Sequence, residues 1–270
     1  MTSFVTSRDG TRIAVDRRGH GDPVVLVAGM FCDRHRLDPL ADVLATRFDV
    51  ATYDRRGRGD STNRSPYGVE REIEDLAAVI GELGGSSAVY GHSSGAALAL
   101  RAAAGGVPIT RLVLHEPPYG ADDADSRRAA TALADTVRAA LDDNRPGDAI
   151  AAFLTEFGLP PDVVDELSRD PDMVAVAPTM VHDHEVMGDF DAGGTVPDAI
   201  VRSISQPTLV LAGAASPEFF RTTAERVSGL LPFGRLTVLD GADHGAAATL
   251  VAPPVIAFLS DPNPAIVPSP

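Results

Sequence analysis

The five residues Gly91-His92-Ser93-Ser94-Gly95 constrain this chain more than any other stretch. The apolar run at 88–90 before them reads as a buried strand, and the small-residue run at 96–104 after them reads as a helix. A G-x-S-x-G turn between strand and helix is a nucleophile elbow. A turn this sharp strains the backbone of Ser93 and needs glycine where neighbouring chain comes close. It also lifts the Ser93 hydroxyl above the sheet edge, over a helix N-terminus whose free N–H groups and dipole favour negative charge.

Around that elbow the chain alternates strands and helices. Residues 3–6 and 11–16 read as strands joined by a turn at Arg8-Asp9-Gly10. The run 24–27 is apolar throughout, the pattern of a strand covered on both faces. A helix over about 35–46, a strand over 48–53, a helix over 69–83 and a strand over 111–115 complete the first half. Asp54-Arg55-Arg56-Gly57-Arg58-Gly59-Asp60-Ser61 has glycine spacing like a phosphate cradle but lacks the P-loop lysine. It reads as a structural turn whose arginines pair with nearby acids, in the ordinary manner of surface charge. Between about 119 and 205 the rhythm breaks into amphipathic helices, near 124–142, 147–157, 161–169 and 172–187. It resumes with a strand at 208–212, a helix at 217–230, a strand at 235–239 and a final helix ending near Leu259. The reading is one α/β core, 1–118 and 206–260, with a mostly parallel sheet. Residues 119–205 are inserted at the strands' C-terminal edge as a helical lid, and the proline-rich 261–270 is a disordered tail.

A net charge of −15 argues against nucleic acid and anionic membrane as partners. No apolar run approaches the roughly 20 residues of a membrane span. The N-terminus lacks a signal-peptide pattern, and the single cysteine, Cys32, excludes an intrachain disulfide, so a cytoplasmic location is expected. Cys32 itself reads as a small buried hydrophobe. Nothing in the sequence specifies an oligomeric state.

A serine nucleophile needs a base, and the base needs an orienter. Of seven histidines, His244 lies late in the chain, in a loop after the last strand, where elbow enzymes place the base. The acid usually follows the strand here at 208–212, but that loop reads Gly213-Ala214-Ala215-Ser216-Pro217 and offers only a serine. Glu116 is the substitute. It follows the strand next after the nucleophile strand, and Glu116-Pro117-Pro118 fixes the chain direction there. Glu218 is the runner-up, and Asp243 is too near His244 to reach its ring but can orient the loop. Oxyanion donors are expected from the N–H of Ser94 and from Met30 or Gly29 in the turn after the strand at 24–27. The apolar, His-rich segment 173–190 suggests Met180, His182, His184, Met187 and Phe190 as pocket residues. His182 and His184 stand two apart, on different helix faces, so no metal site is read there.

The motifs Gly-His-Ser-Ser-Gly-Ala at 91–96, His-Glu-Pro at 115–117 and Gly-Ala-Ala-Ser-Pro at 213–217 carry a resemblance. Over about 3–260 the chain resembles an α/β-hydrolase, and more narrowly the zearalenone-lactonase branch. In that branch a Glu after the strand following the nucleophile replaces the usual Asp. The resemblance implies an α/β-hydrolase fold, a Ser93–Glu116–His244 triad, and cofactor-free hydrolysis of a small-molecule ester or lactone. This chain has no Trp, whereas that branch packs a lid tryptophan on its macrolactone, so the resemblance extends to the triad and not to the substrate. The alternative is a non-hydrolytic protein of the same fold, a cofactor-free cyclase or lyase or a small-molecule binder.

Overall fold

The computed structural model describes residues 2–263, so most of the tail expected to be disordered, 264–270, lies outside the described residues. Eight strands form one sheet: β1 (Thr2–Thr6), β2 (Arg12–Gly19), β3 (Pro23–Val27), β4 (Asp49–Tyr53), β5 (Ser87–His92), β6 (Ile109–His115), β7 (Thr208–Gly213) and β8 (Gly234–Leu239). Their order is β1-β2-β4-β3-β5-β6-β7-β8. The β1–β2 and β2–β4 pairs are antiparallel, and every other pair is parallel. The chain passes from β3 outward to β4 and then back across to β5 on the other side. Strand order therefore reverses between β3 and β5, and the C-terminal crevice at such a switch point is where open parallel sheets carry their ligands.

The continuous apolar runs are buried because helices cover both faces. One face packs Val25, Val27, Val89 and Leu114 against Leu76 and Ile80 of α2 (Val69–Glu82) and Leu98 of α3 (Ser94–Ala104). The other packs Val24, Leu26, Tyr90 and Val113 against Leu40 and Leu44 of α1 (Asp38–Leu44) and Val255 of α12 (Ala248–Leu259). Each side chain of leucine or valine size buried here contributes roughly 1.5–3 kcal/mol.

Between β6 and β7 stand the helices α4 (Ala124–Asp142), α5 (Pro146–Glu156), α6 (Pro161–Leu167), α7 (Pro171–Val176), α8 (Met180–Met187), α9 (Asp189–Ala192) and α10 (Asp198–Ser203). The continuous helix expected over 172–187 is in fact α7, a 3-10 turn at Ala177–Thr179 and α8. Pro178 lies at the break, where it has no N–H to give and its ring crowds the preceding turn. The layer has a core of its own, Val137, Ile150, Leu154, Val164 and Met180, against which Met30 and Phe31 pack from the turn after β3. The last helix before β8 is α11 (Glu218–Leu230). No helix of the described residues is long and apolar enough to cross a membrane.

Candidate active site

Two glycines permit the turn from β5 to α3. A Cβ on Gly91 would lie 2.4 Å from the Gly95 carbonyl oxygen, and one on Gly95 would lie 2.3 Å from that of Val27. Ser93 between them has φ 54°, a left-handed conformation that a side chain rarely adopts. Its N–H donates to the His115 carbonyl at 2.9 Å, tying the elbow to the end of β6. Gly29 abuts it from β3: a Cβ there would sit 2.9 Å from Ser93 Cβ and 3.5 Å from its Oγ.

Glu116 leaves β6 with φ 48°, a second non-glycine residue in the left-handed region. Such strain persists only where the surroundings enforce it. Here the Glu116 N–H donates to the Leu211 carbonyl at 2.9 Å. Its Oε1 accepts the Gly213 N–H at 2.7 Å, and its Oε2 lies 2.6 Å from His244 Nδ1. The carboxylate of one strand is thus held by the last residue of the next, beside the loop where Ser216 stands. Burial raises the Glu116 pKa, but the His244 ring, the neighbouring Ser216 hydroxyl and the Gly213 N–H outweigh it and hold the group below the usual carboxylate range.

His244 is held from its backbone too. His92 Nε2–H donates to the His244 carbonyl at 2.9 Å, which fixes the His92 tautomer, and the two rings lie 4.7 Å apart. Burial keeps His92 neutral, well below the usual imidazole pKa. Phe220 also stacks on the His244 ring, centroids 4.5 Å apart. The sequence gives no sign of this role for His92, because its partner is 152 residues distant. Glu218 is exposed and pairs with Arg221, and Asp243 accepts the Gly245 N–H at 2.9 Å, while the His244 ring meets Glu116.

The arginines after β4 pair with acids, but not at the surface. Arg55, Arg56 and Arg58 are at most 2% exposed. Arg56 forks onto Asp75 at 2.7 and 2.8 Å. Arg55 forks onto Glu72 at 2.7 and 2.8 Å and also reaches Asp183 at 2.6 Å. Arg58 donates to Asp183 Oδ2 and to the Gly29 carbonyl, both at 2.6 Å, and to Thr179 Oγ1 at 3.0 Å. Burial alone would raise Asp183, but the two guanidinium charges outweigh it and keep the carboxyl far below its ordinary range.

Five residues of the helical layer were pocket candidates, and two line a cavity that Pro118, two residues past Glu116, also borders. His184 and Met187 border a space of about 540 Å³ with Leu133, Phe153, Phe157 and Phe219. The other three are corrected. Met180 fills the layer's own core beside Ile150 and Val164. His182 lies flat on Tyr67, ring centroids 3.7 Å apart, and burial lowers its pKa to about 4. Phe190 carries the Arg138 guanidinium 3.5 Å above its ring and lines a separate groove. Helical spacing cannot distinguish these faces, because the break at Pro178 resets the rotation of α8.

Similarity to known proteins agrees with this fold. The family model described as "Alpha/beta hydrolase family" matches residues 24–257. A solved α/β hydrolase from Sphaerobacter thermophilus is 46% identical with a TM-score of 0.84, over 96% of this chain and 100% of that one. Epoxide hydrolase A of Mycobacterium tuberculosis is 28% identical over 304 residues, covering 90% of this chain and 91% of that protein. Probable oxidoreductase EphD of the same organism is 40% identical over 95 residues, 33% of this chain and 16% of that protein, so the match spans less than a fifth of that relative.

Proposed function

This chain belongs to the alpha/beta hydrolase family, and from the geometry of its site we propose that it is a serine hydrolase of carboxylic esters or lactones. The observation that carries the reading is the 2.6 Å contact of Glu116 Oε2 with His244 Nδ1, made between a backbone-strained residue at the end of β6 and a residue of the loop after β8. With Nδ1–H donated to a carboxylate, His244 Nε2 is the basic nitrogen. Ser93 Oγ attacks the substrate carbonyl as that nitrogen takes its proton. The oxyanion is received by the N–H of Ser94 and of Met30, with Gly29 the further donor of that turn. Collapse expels the alkoxide, which takes the proton from His244 and leaves as alcohol. Water then attacks the acyl-Ser93 bond by the same route, releasing the acid.

Glu116 plays the acid's part in this triad, as in the zearalenone-lactonase branch. Residues 119–205 act as a lid over a core of 1–118 and 206–260. The cavity of about 540 Å³, lined by three phenylalanines, suits an apolar, ring-bearing acyl or alkoxy group. The activity of the epoxide hydrolase relative does not transfer, because covalent opening of an epoxide uses a carboxylate nucleophile where this chain has Ser93.

The test is turnover of p-nitrophenyl esters together with labelling by a fluorophosphonate. We expect a burst of chromophore and a label at Ser93, and Ser93→Ala should lower kcat by about 10⁴–10⁶ with an unchanged melting temperature. Active wild type that escapes the label would overturn the covalent mechanism.

A further inference from the structure

Asp183 is fully buried in α8, a helix of the inserted layer, and yet it meets both turns that would supply oxyanion donors. On one side its Oδ1 accepts the Ser94 hydroxyl at 2.7 Å. Ser94 is the first residue of α3, and its own N–H is among those a helix leaves unused. On the other side Oδ2 accepts Arg58 Nη2 at 2.6 Å, while Nη1 of the same guanidinium holds the Gly29 carbonyl at 2.6 Å. A trans peptide is planar, with its C=O and N–H pointing in opposite directions. Clamping the Gly29 carbonyl therefore aims the Met30 N–H the other way. Arg58 is itself held by Thr179, at the residue before α8, so the clamp comes from the turn after β4 and is pinned by that layer.

We propose that Asp183 is a positioning residue that sets the oxyanion hole from the helical layer, acting directly on Ser94 and through Arg58 on the Gly29–Met30 peptide. The proposal rests on the hydrolase reading above. It explains why so much charge is buried here. Arg55, Arg58, Glu72 and Asp183 balance one another, but a buried ion network commonly stabilises no better than a packed apolar one. What an apolar cluster lacks is a fork with fixed geometry, able to hold a carboxylate and a carbonyl at once. A consequence is that docking of α8 and readiness of the site are one event. If α8 withdraws, both donors lose their alignment together.

The experiment compares Ser94→Ala, Arg58→Lys and Arg56→Lys with wild type. It measures kcat and KM on p-nitrophenyl butyrate and the inhibition constant of an alkyl trifluoromethyl ketone. That inhibitor adds to Ser93, whose proton passes to His244 while the carbonyl electron pair moves onto oxygen, leaving an oxyanion in the hole. Arg58→Lys keeps a positive charge beside Asp183 but cannot span both acceptors. Arg56 contacts Asp75, Asp9 and the Arg71 carbonyl, none of them at the oxyanion turns, so Arg56→Lys reports what loss of a buried fork costs by itself. We expect Ser94→Ala and Arg58→Lys each to lower kcat by about 10–100-fold with KM within about threefold, less than outright removal of a donor. Ketone affinity should fall in step with kcat/KM, and Arg56→Lys should leave both near wild type. The proposal is overturned if Arg58→Lys loses no more rate than Arg56→Lys, or if ketone affinity stays constant while kcat falls. Should Arg58→Lys not fold, Ser94→Ala decides alone, and wild-type kcat in that variant refutes the proposal. Wild type that neither turns over the ester nor binds the ketone marks failure of the hydrolase reading itself, and the proposal falls with it.

Discussion

Of the histidine–carboxylate pairs among the described residues, two have a buried carboxylate, and these two differ in nearly everything but their chemistry. His244 and Glu116 meet at the sheet edge, where the His244 side chain is 39% exposed over a fully buried carboxylate. His184 and Asp189 meet in the helical layer, at 1% and 9% exposure. In the first pair, hydrogen bonds and the ring outweigh burial and keep Glu116 below its ordinary pKa. In the second, burial wins and raises Asp189 despite His184. His184 Nε2 has no partner among the described residues, and its ring is edged by Phe153 and Phe190. His244 instead stands in a loop that His92, the residue before Ser93, holds by hydrogen bond. A carboxylate next to an imidazole is therefore not a catalytic pair by itself. Under the proposed mechanism, access, a carboxylate that stays charged and attachment to the elbow make the difference.

Removing the charge from each pair should separate them sharply. Glu116→Gln leaves the transient imidazolium uncompensated and permits the wrong tautomer, so kcat should fall by about 10³–10⁴, by analogy with Asp→Asn changes in triads. A loss below tenfold in ester assays would place the acid elsewhere. Asp189→Ala should do the reverse. It strips a buried ring of its partner and should destabilise by about 1–3 kcal/mol, read in denaturant melts, with kcat within about threefold. A large rate loss at wild-type stability would make the second pair part of the chemistry.

The smallest effect should come from pH. Burial lowers His115 and His182 to about 4, below the roughly 6.5 of an unfolded histidine. The unfolded chain thus takes up these protons first. Stability is whole above about pH 6.5 and is lost as pH falls toward 4. The melting temperature should decline by several degrees between pH 7 and 5, and a flat profile would mean that these rings take up protons in the fold as they do in the unfolded chain.

The core was legible because its signals are local. Apolar runs mark strands covered on both faces, and the elbow shows itself in five consecutive residues. Glu116 could be read because Ser216 stands where an acid was needed and because strand order carries position. The buried network could not. Arg58 and Asp183 are 125 residues apart, and an arginine destined for the interior looks in sequence like one on the surface. Asp183 sits inside His182-Asp183-His184-Glu185, whose histidines draw attention away from it. The strain at Glu116 is likewise invisible in sequence, since it arises from Leu211 and Gly213 on the neighbouring strand.

The central claim is that a carboxylate from the end of β6 serves the same imidazole edge that a residue at position 216, after β7, would serve. Its most direct test is kcat of Glu116→Gln beside that of the double variant Glu116→Gln/Ser216→Asp. Gly213 donates to Glu116 from the base of that loop, so the loop carrying position 216 already touches the carboxylate that meets His244 Nδ1. The account predicts that the added aspartate restores about tenfold or more of the lost rate, since it returns a charged orienter to the imidazole. An unimpaired single variant, or a double variant as slow as the single one, would contradict it.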